Sequence, residues 1–225
     1  LAHAYGDIDG YCEVVTDSLR PVLTPRGADQ AQLIMTMNDE TGAPYMGDPR
    51  QVLTKVLEGF TARNLKPCIA AELEFYLLPD PGSNRPLRSA LDSLSTLRGN
   101  LYALNELDRH ADMLDVLREA FAVQELPFEG IIKESAPAQF EINMAHSDDV
   151  LLLADQIIRI QRIVRRVAAR CVLIASFMPK PLDDEAGNGM HIHCSLLEER
   201  GINVFNDGSE GGSPLLMQAL AGCIE

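Results

Sequence analysis

The 225-residue sequence contains no tryptophan and only 5% aromatic residues, and its basic residues are too few to balance its acids. Nineteen Lys and Arg stand against 33 Asp and Glu, a formal net charge of -14. A chain this acidic repels phosphate backbones, which argues against general nucleic-acid binding. No stretch approaches the roughly 20 apolar residues that span a bilayer. The opening LAHAYGDIDG has neither a basic segment nor an apolar one, so it does not read as a signal peptide. Five cysteines, Cys12, Cys68, Cys171, Cys194 and Cys223, are odd in number and far apart, with no C-x-x-C pair. They read as reduced residues of a cytosolic protein, not a disulfide frame or a zinc knuckle, and the cytoplasm is the expected compartment. What is present is ordinary: 46% hydrophobic and 23% charged residues suit a globular chain. At roughly 100–200 residues per domain the length allows one or two domains.

The chain reads as cut at both ends. Leu1 stands where an initiator Met would, and Ser213-Pro214 opens an apolar helical stripe (Leu215, Leu216, Ala219, Leu220, Cys223) that reaches Glu225 without a stop signal.

Between the ends, α and β patterns mix. Residues 29–38 alternate as a strand, with Ala31, Leu33, Met35 and Met37 on one face. Residues 42–47 form a turn-rich linker, and Asp48-Pro49 opens a helix whose buried side is expected to carry Val52, Leu53, Val56, Leu57 and Phe60. A strand over 68–78 precedes a loop-like stretch over 79–100, rich in Pro, Ser, Gly and Arg. A helix over 108–122 carries Met113, Leu114, Leu117 and Phe121, and a strand follows at 139–144. Ser147 is expected to cap a long helix to about Cys171, with Ile157, Ile158, Val164, Val167 and Ala168 toward the core. Arg165, Arg166 and Arg170 near its end suit the helix dipole, and a solvated face explains them better than an anion site. Strands are expected at 172–176, 189–196 and 202–205, and no internal repeat is present.

Three of these strands carry polar groups at period two, where alternate side chains share a face. Glu72 and Glu74 oppose Ala71, Leu73 and Phe75; Gln139, Glu141 and Asn143 oppose Phe140 and Ile142; His191, His193 and Ser195 form a third polar face. Any half-solvated antiparallel strand shows one such pattern. Three together, with no Lys or Arg on those faces, describe clustered carboxylates that repel one another unless a cation is present. Several carboxylates with one histidine suit Mg²⁺ or Mn²⁺ better than zinc, and magnesium points to a phosphate-bearing substrate. Glu134 lies seven residues before Glu141, across a Ser-Ala-Pro-Ala segment that could turn the chain and return another carboxylate. The loop Asp183–Gly189 precedes the histidine strand, and its glycines permit close approach of backbone to ligand, although a plain acidic turn reads equally well.

These residues, in this order and spacing, resemble glutamine synthetases of the bacterial, dodecameric type. The resemblance rests on Glu72-Leu73-Glu74-Phe75-Tyr76, Gln139-Phe140-Glu141-Ile142-Asn143, Phe177-Met178-Pro179-Lys180-Pro181 and the run Gly187 to Leu196, and it covers nearly the whole chain. Within the family, Gly47-Asp48-Pro49-Arg50, Ala71 to Leu78 and Asn203 to Gly208 are most similar to gamma-glutamyl-amine ligases such as gamma-glutamylputrescine synthetases. The resemblance implies an α+β fold with an antiparallel sheet carrying the metal site and helices packed behind it. Residues 1–47 are similar to the latter part of the family's small N-terminal β-grasp domain, and 48–225 to the N-terminal part of its catalytic domain. The catalytic arginines, the last metal-binding Glu and the flap Glu of the family lie beyond this sequence.

Carried over residue by residue, the resemblance makes Glu74, Glu134 and Glu141 ligands of one divalent metal, and Glu72 and His191 ligands of a second. His193 and Ser195 match ATP-contacting positions, with Glu129 a further one, and Gly187 matches a backbone position beside bound glutamate. Asp9 or Asp7 matches the acidic residue that a neighbouring subunit lends to the amine site. Two Mg²⁺ or Mn²⁺ ions, with ATP, glutamate and an amine as substrates, and a double-ring homo-oligomer follow from the same resemblance. Ala186 stands where glutamine synthetases proper have Asn, which favours an organic amine over ammonia. The expected reaction phosphorylates glutamate's γ-carboxylate before the amine attacks. Ammonia as acceptor is the alternative within the class. A non-catalytic glutamate- or amine-binding nitrogen sensor is the alternative outside it, and the retained acidic set speaks against a sensor.

Overall fold

The computed structural model describes residues 10–80, 82, 101, 102 and 104–224. Its first element is a two-stranded antiparallel hairpin, β1 (Tyr11–Thr24) and β2 (Gly27–Asn38). Gly27 takes φ +103° at the hairpin turn, a conformation that a side chain resists. The Thr24 hydroxyl braces that turn, lying 2.8 Å from Gly27 O and 2.7 Å from Asp29 Oδ1, with its single proton to give to one of them. Asp48 then links hairpin to helix. Its Oδ2 accepts from Met37 N and its Oδ1 from Arg50 N, both at 2.9 Å, and Pro49 begins α1 (Pro49–Thr61).

The rest is built around one long strand, β3 (Leu65–Pro79). One edge of β3 pairs with β5 (Gln139–Met144), which in turn pairs with β4 (Phe128–Lys133). The other edge is shared: β7 (Met190–Glu198) lies along Leu65–Leu73 and β6 (Leu173–Ser176) along Tyr76–Pro79. Every pairing is antiparallel. Behind the sheet lie α2 (Leu104–Arg109), α3 (Ala111–Val123) and α4 (Val150–Arg170), and α5 (Pro214–Ile224) ends the described chain.

Alternation along β3 and β5 decides which face meets those helices. Leu73, Phe75, Leu77, Phe140 and Ile142 are buried against Leu114, Leu117 and Phe121 of α3 and Leu153, Ile160 and Val164 of α4. Each such side chain contributes roughly 1.5–3 kcal/mol by leaving water. The opposite face is left to the polar residues. The expected α+β architecture, with an antiparallel sheet backed by helices, is therefore what the chain adopts.

Several local expectations change. Val52 and Val56 of α1 are exposed, because only the Leu53–Leu57–Phe60 side of this helix finds a neighbour. Ile158 is likewise exposed, while Ile160 and Ile163 take the buried positions on α4. The apolar face of β2 (Leu33, Met35, Met37) is also exposed. Ser147 does not cap α4: its backbone is bonded both ways to Ile69 at 2.8 Å, extending the sheet edge. Asp149 caps instead, accepting from Leu152 N at 3.0 Å. Asp149→Ala is accordingly expected to cost about 1 kcal/mol, lowering the melting temperature by about 2–4 °C at this chain length. An unchanged melting curve would remove that role. The helix expected over 108–122 is interrupted at His110, where α2 ends and α3 begins, and the His110 ring is buried edge-on to Phe140. The strand expected at 202–205 is a single bridge between Asn203 and Leu197. Strands β1 and β4 had no clear sequence signal. Arg165 of α4 lies with its guanidinium 4.9 Å from the centre of the Phe177 ring.

Candidate metal and substrate site

Residues directly opposite in antiparallel strands share a face. The register sets Glu72 between Asn143 and His191, Glu74 opposite Glu141, Tyr76 opposite Gln139 and Ala70 opposite His193. All the polar members of these pairs therefore project to the side away from the helices. Sequence alternation shows a polar front on each strand; pairing joins the three fronts into one.

At its centre, ligand atoms of Glu72, Glu141 and His191 lie within 4.8 Å of one another. His191 Nδ1 is 3.1 Å from Glu72 Oε2 and 3.9 Å from Glu141 Oε2. His193 Nε2 is 3.0 Å from the other oxygen of Glu72. Glu141 is nearly buried, and that burial, reinforced by Glu72, Glu134 and Glu74, raises its carboxyl pKa above the ordinary value. No Lys or Arg among the described residues pairs with Glu72, Glu74 or Glu141. The donor set, two carboxylates and an imidazole on a partly exposed face with only Glu141 buried, fits a divalent cation.

Glu74 lies beside this cluster with a different set of contacts. Its Oε2 accepts from Gly189 N at 3.0 Å and from Gln139 Nε2 at 2.9 Å. Glu134 sits in the turn between β4 and β5, close enough that its charge acts on Glu141 but outside the three-residue group. Behind it, the Lys133 ammonium is buried in the core, 3.3 Å from Glu106 Oε2, and donates to the carbonyls of Glu134 and Ala136. Burial pulls the Lys133 pKa down, and Glu106 opposes that shift.

Gly187 follows Ala186 in a loop laid against the strand ends. A methyl group at Gly187 would stand 2.6 Å from the Pro179 carbonyl oxygen, so only glycine fits that approach. The loop is held by Tyr76, whose hydroxyl donates to Ala186 O at 2.6 Å, and by Asn188, which donates to Ser176 O at 3.1 Å and Met178 O at 2.9 Å.

Glu129 falls at a register shift in β4, between Phe128 and Gly130. It lines a cleft of about 400 Å³ together with Glu72, Asn143, His146 and His193. The structure thus brings Glu129 and His193 together. Ser195 is not among the residues lining that cleft; its hydroxyl lies 3.4 Å from Asn203 Nδ2, which donates to it. Asp7 and Asp9 lie outside the described residues. Tyr76, Gln139 and Asn188 stand in the sequence motifs without a role of their own there, and His146 in none of them. The position of Gln139 on the same face as Glu141 was the available signal.

Residues 46–225 match the family model described as glutamine synthetase, catalytic domain. Gamma-glutamylputrescine synthetase of Escherichia coli is 38% identical over 233 residues, covering 100% of this chain and 48% of that protein. A glutamine synthetase of Pyrococcus horikoshii is 35% identical over 184 residues, covering 82% of this chain and 39% of the other. Among solved structures, a GmaS/ADP complex superposes with a TM-score of 0.84 at 28% identity, covering 98% of this chain and 49% of that one. The chain spans half or less of the length of these relatives.

Proposed function

Because the chain belongs to the glutamine synthetase family, we propose that the full-length protein joins the γ-carboxyl of glutamate to an amine in an ATP-dependent reaction. The observation that carries this reading is the Glu72–Glu141–His191 cluster set beside the Gly187 loop, with Glu74 bonded to both Gly189 and Gln139. A carboxylate is a poor acyl donor, so the γ-carboxylate must first take a phosphoryl group from ATP. Phosphoryl transfer leaves the protein mainly positioning and charge compensation to supply.

Glu74, Glu134 and Glu141 would hold one Mg²⁺ or Mn²⁺ and Glu72 and His191 a second, a reading supported by the closeness of Glu141 to Glu72 and His191 and by the action of the Glu74 and Glu134 charges on it. Bound there, such ions would offset negative charge on the phosphoryl oxygens. The cleft beside Glu129, His146 and His193 is the place offered to the nucleotide. The Gly187 loop, pinned by Tyr76 and Asn188, orients glutamate. Asp9 or Asp7 is proposed to take the proton from the incoming amine.

An organic amine is the favoured acceptor. Ala186 supports it: its carbonyl is engaged by Tyr76, and its side chain offers no carboxamide where glutamine synthetases proper present one. The likeness to a gamma-glutamylputrescine synthetase points the same way. The 35% identity to a glutamine synthetase keeps ammonia as the second reading. An oligomer is proposed as well. Val14, Leu33, Met35 and Met37 leave an apolar face of the hairpin open, as surfaces that receive a partner do.

Phosphate release by the full-length protein, with ATP, Mg²⁺ and glutamate, tests the reading when ammonia, putrescine, spermidine and simple monoamines are compared. Turnover with an organic amine and little with ammonia is expected. Turnover with ammonia alone would make the protein a glutamine synthetase. No turnover with any amine, while ATP and Mn²⁺ still raise the melting temperature, would remove the ligase and leave a binding protein.

A further inference from the structure

Gln139 is 1% exposed at the start of β5, and its carboxamide meets three separate segments. Nε2 donates to Glu74 Oε2 and to Gly187 O, both at 2.9 Å, and lies 3.2 Å from Asn188 Oδ1. Oε1 accepts from Ala136 N at 3.2 Å, inside the turn that carries Glu134. The main chain of Gln139 closes the same turn: its carbonyl accepts from Glu134 N at 2.9 Å, and its N–H donates to Ala136 O at 3.2 Å. The surroundings leave one orientation of the amide, because three acceptors face the nitrogen and one donor faces the oxygen.

Each segment carries a residue of the proposed site: Glu74 on β3, Gly187 in the substrate loop and Glu134 in the turn. Gln139 touches all three from a buried position where an unsatisfied polar atom is costly. Movement of the Gly187 loop therefore disturbs the bond to Glu74, and movement of Glu74 disturbs the loop.

We infer that Gln139 is a positioning residue that couples the metal-ligating carboxylates to the loop binding the acyl substrate, so that metal and glutamate sites are set by one side chain. The inference rests on the ligase reading for the identity of the loop's ligand. Glutamic acid at this position has the same shape but places oxygen against the Glu74 carboxylate and the Gly187 carbonyl. It removes both donor bonds and leaves the Ala136 contact. Among the described residues the Tyr76 side chain makes its hydrogen bond to the loop, through Ala186 O, and none to Glu74.

The test compares wild type, Gln139→Glu, Gln139→Met and Tyr76→Phe in the full-length protein. Mn²⁺ and glutamate binding are read by calorimetry, and KM and kcat are read with the amine that supports turnover. Both Gln139 variants are expected to weaken Mn²⁺ and glutamate together, each by about 10–100-fold, as lost support for a metal ligand does. Tyr76→Phe is expected to weaken glutamate and leave Mn²⁺ unchanged. A merely structural role would lower kcat through the active fraction without moving either binding constant. Gln139 variants that bind both ligands as wild type does, or that shift one without the other, would overturn the coupling. Wild-type protein that binds Mn²⁺ and glutamate but turns over no amine would instead remove the ligase reading, and the binding comparison would still decide the coupling.

Discussion

Replacing Glu141 by Gln is expected to stabilise the metal-free protein and abolish its stabilisation by Mn²⁺. Burial, then Glu72, Glu134 and Glu74, raise the Glu141 pKa in the folded state. The folded chain thus binds this proton more readily than the unfolded chain, and ionised Glu141 opposes folding near neutral pH. Removing the charge should raise the melting temperature of the metal-free protein near neutral pH. Wild type should recover that difference as pH falls through the raised value, because the native state then takes up the proton. Its stability from this group increases on acidification, the reverse of an ion-paired carboxylate. With Mn²⁺ the order should invert, since wild type gains the free energy of binding and the variant lacks a proposed ligand. Turnover of the full-length protein in the proposed ligase reaction should fall by more than about 100-fold, since charge compensation at a phosphoryl group is worth several kcal/mol. Melting curves over pH, with and without Mn²⁺, check all but the last. A variant that Mn²⁺ stabilises as much as it does wild type would remove Glu141 from the metal site.

The second large effect lies behind the sheet. Lys133→Met is expected to destabilise the fold by about 3–5 kcal/mol, because it strands Glu106 as a buried, unpaired charge. The Lys133 side chain is 1% exposed and that of Glu106 is 3% exposed, so water cannot take over either role. Combining Lys133→Met with Glu106→Leu should restore most of that loss, since a buried pair replaced on both sides is often neutral or better. A single variant as stable as wild type would show that the pair is not energetically coupled. The carbonyls of Glu134 and Ala136 lose their donor in both variants. Both should therefore bind Mn²⁺ more weakly even where stability returns.

Glu72, Glu74, Glu141 and His191 stand out in the sequence because alternation in a strand is local. Two residues apart means the same face, whatever the rest of the chain does. The same logic makes β3, β5 and β7 legible as apolar-backed strands, and makes Pro49 and Pro214 legible as helix starts. The errors arise where local pattern leaves the choice of partner open. Val52 and Ile158 are apolar at helical spacing, yet they have no neighbour to bury them in this chain. Ser147 has the chemistry of a cap, but Ile69 claims its backbone and Asp149 takes the position.

The sequence by itself determined the polar front of three strands, because that depends on residue type and spacing, and its motifs carried the family resemblance that implied the α+β class. Tertiary structure alone decided what those fronts meet. His191 reaches Glu72 across 119 residues of sequence, and Gln139 reaches Glu74 across 65. Register fixes both contacts, and a slip of one residue would turn either side chain into the core. Lys133 shows the same rule from the other side. It neighbours Glu134 in sequence, but pairing opposite Phe140 sends its ammonium inward to Glu106. Adjacent residues in a strand face opposite ways, so Lys133 braces the scaffold behind the acidic cluster and does not pair with it.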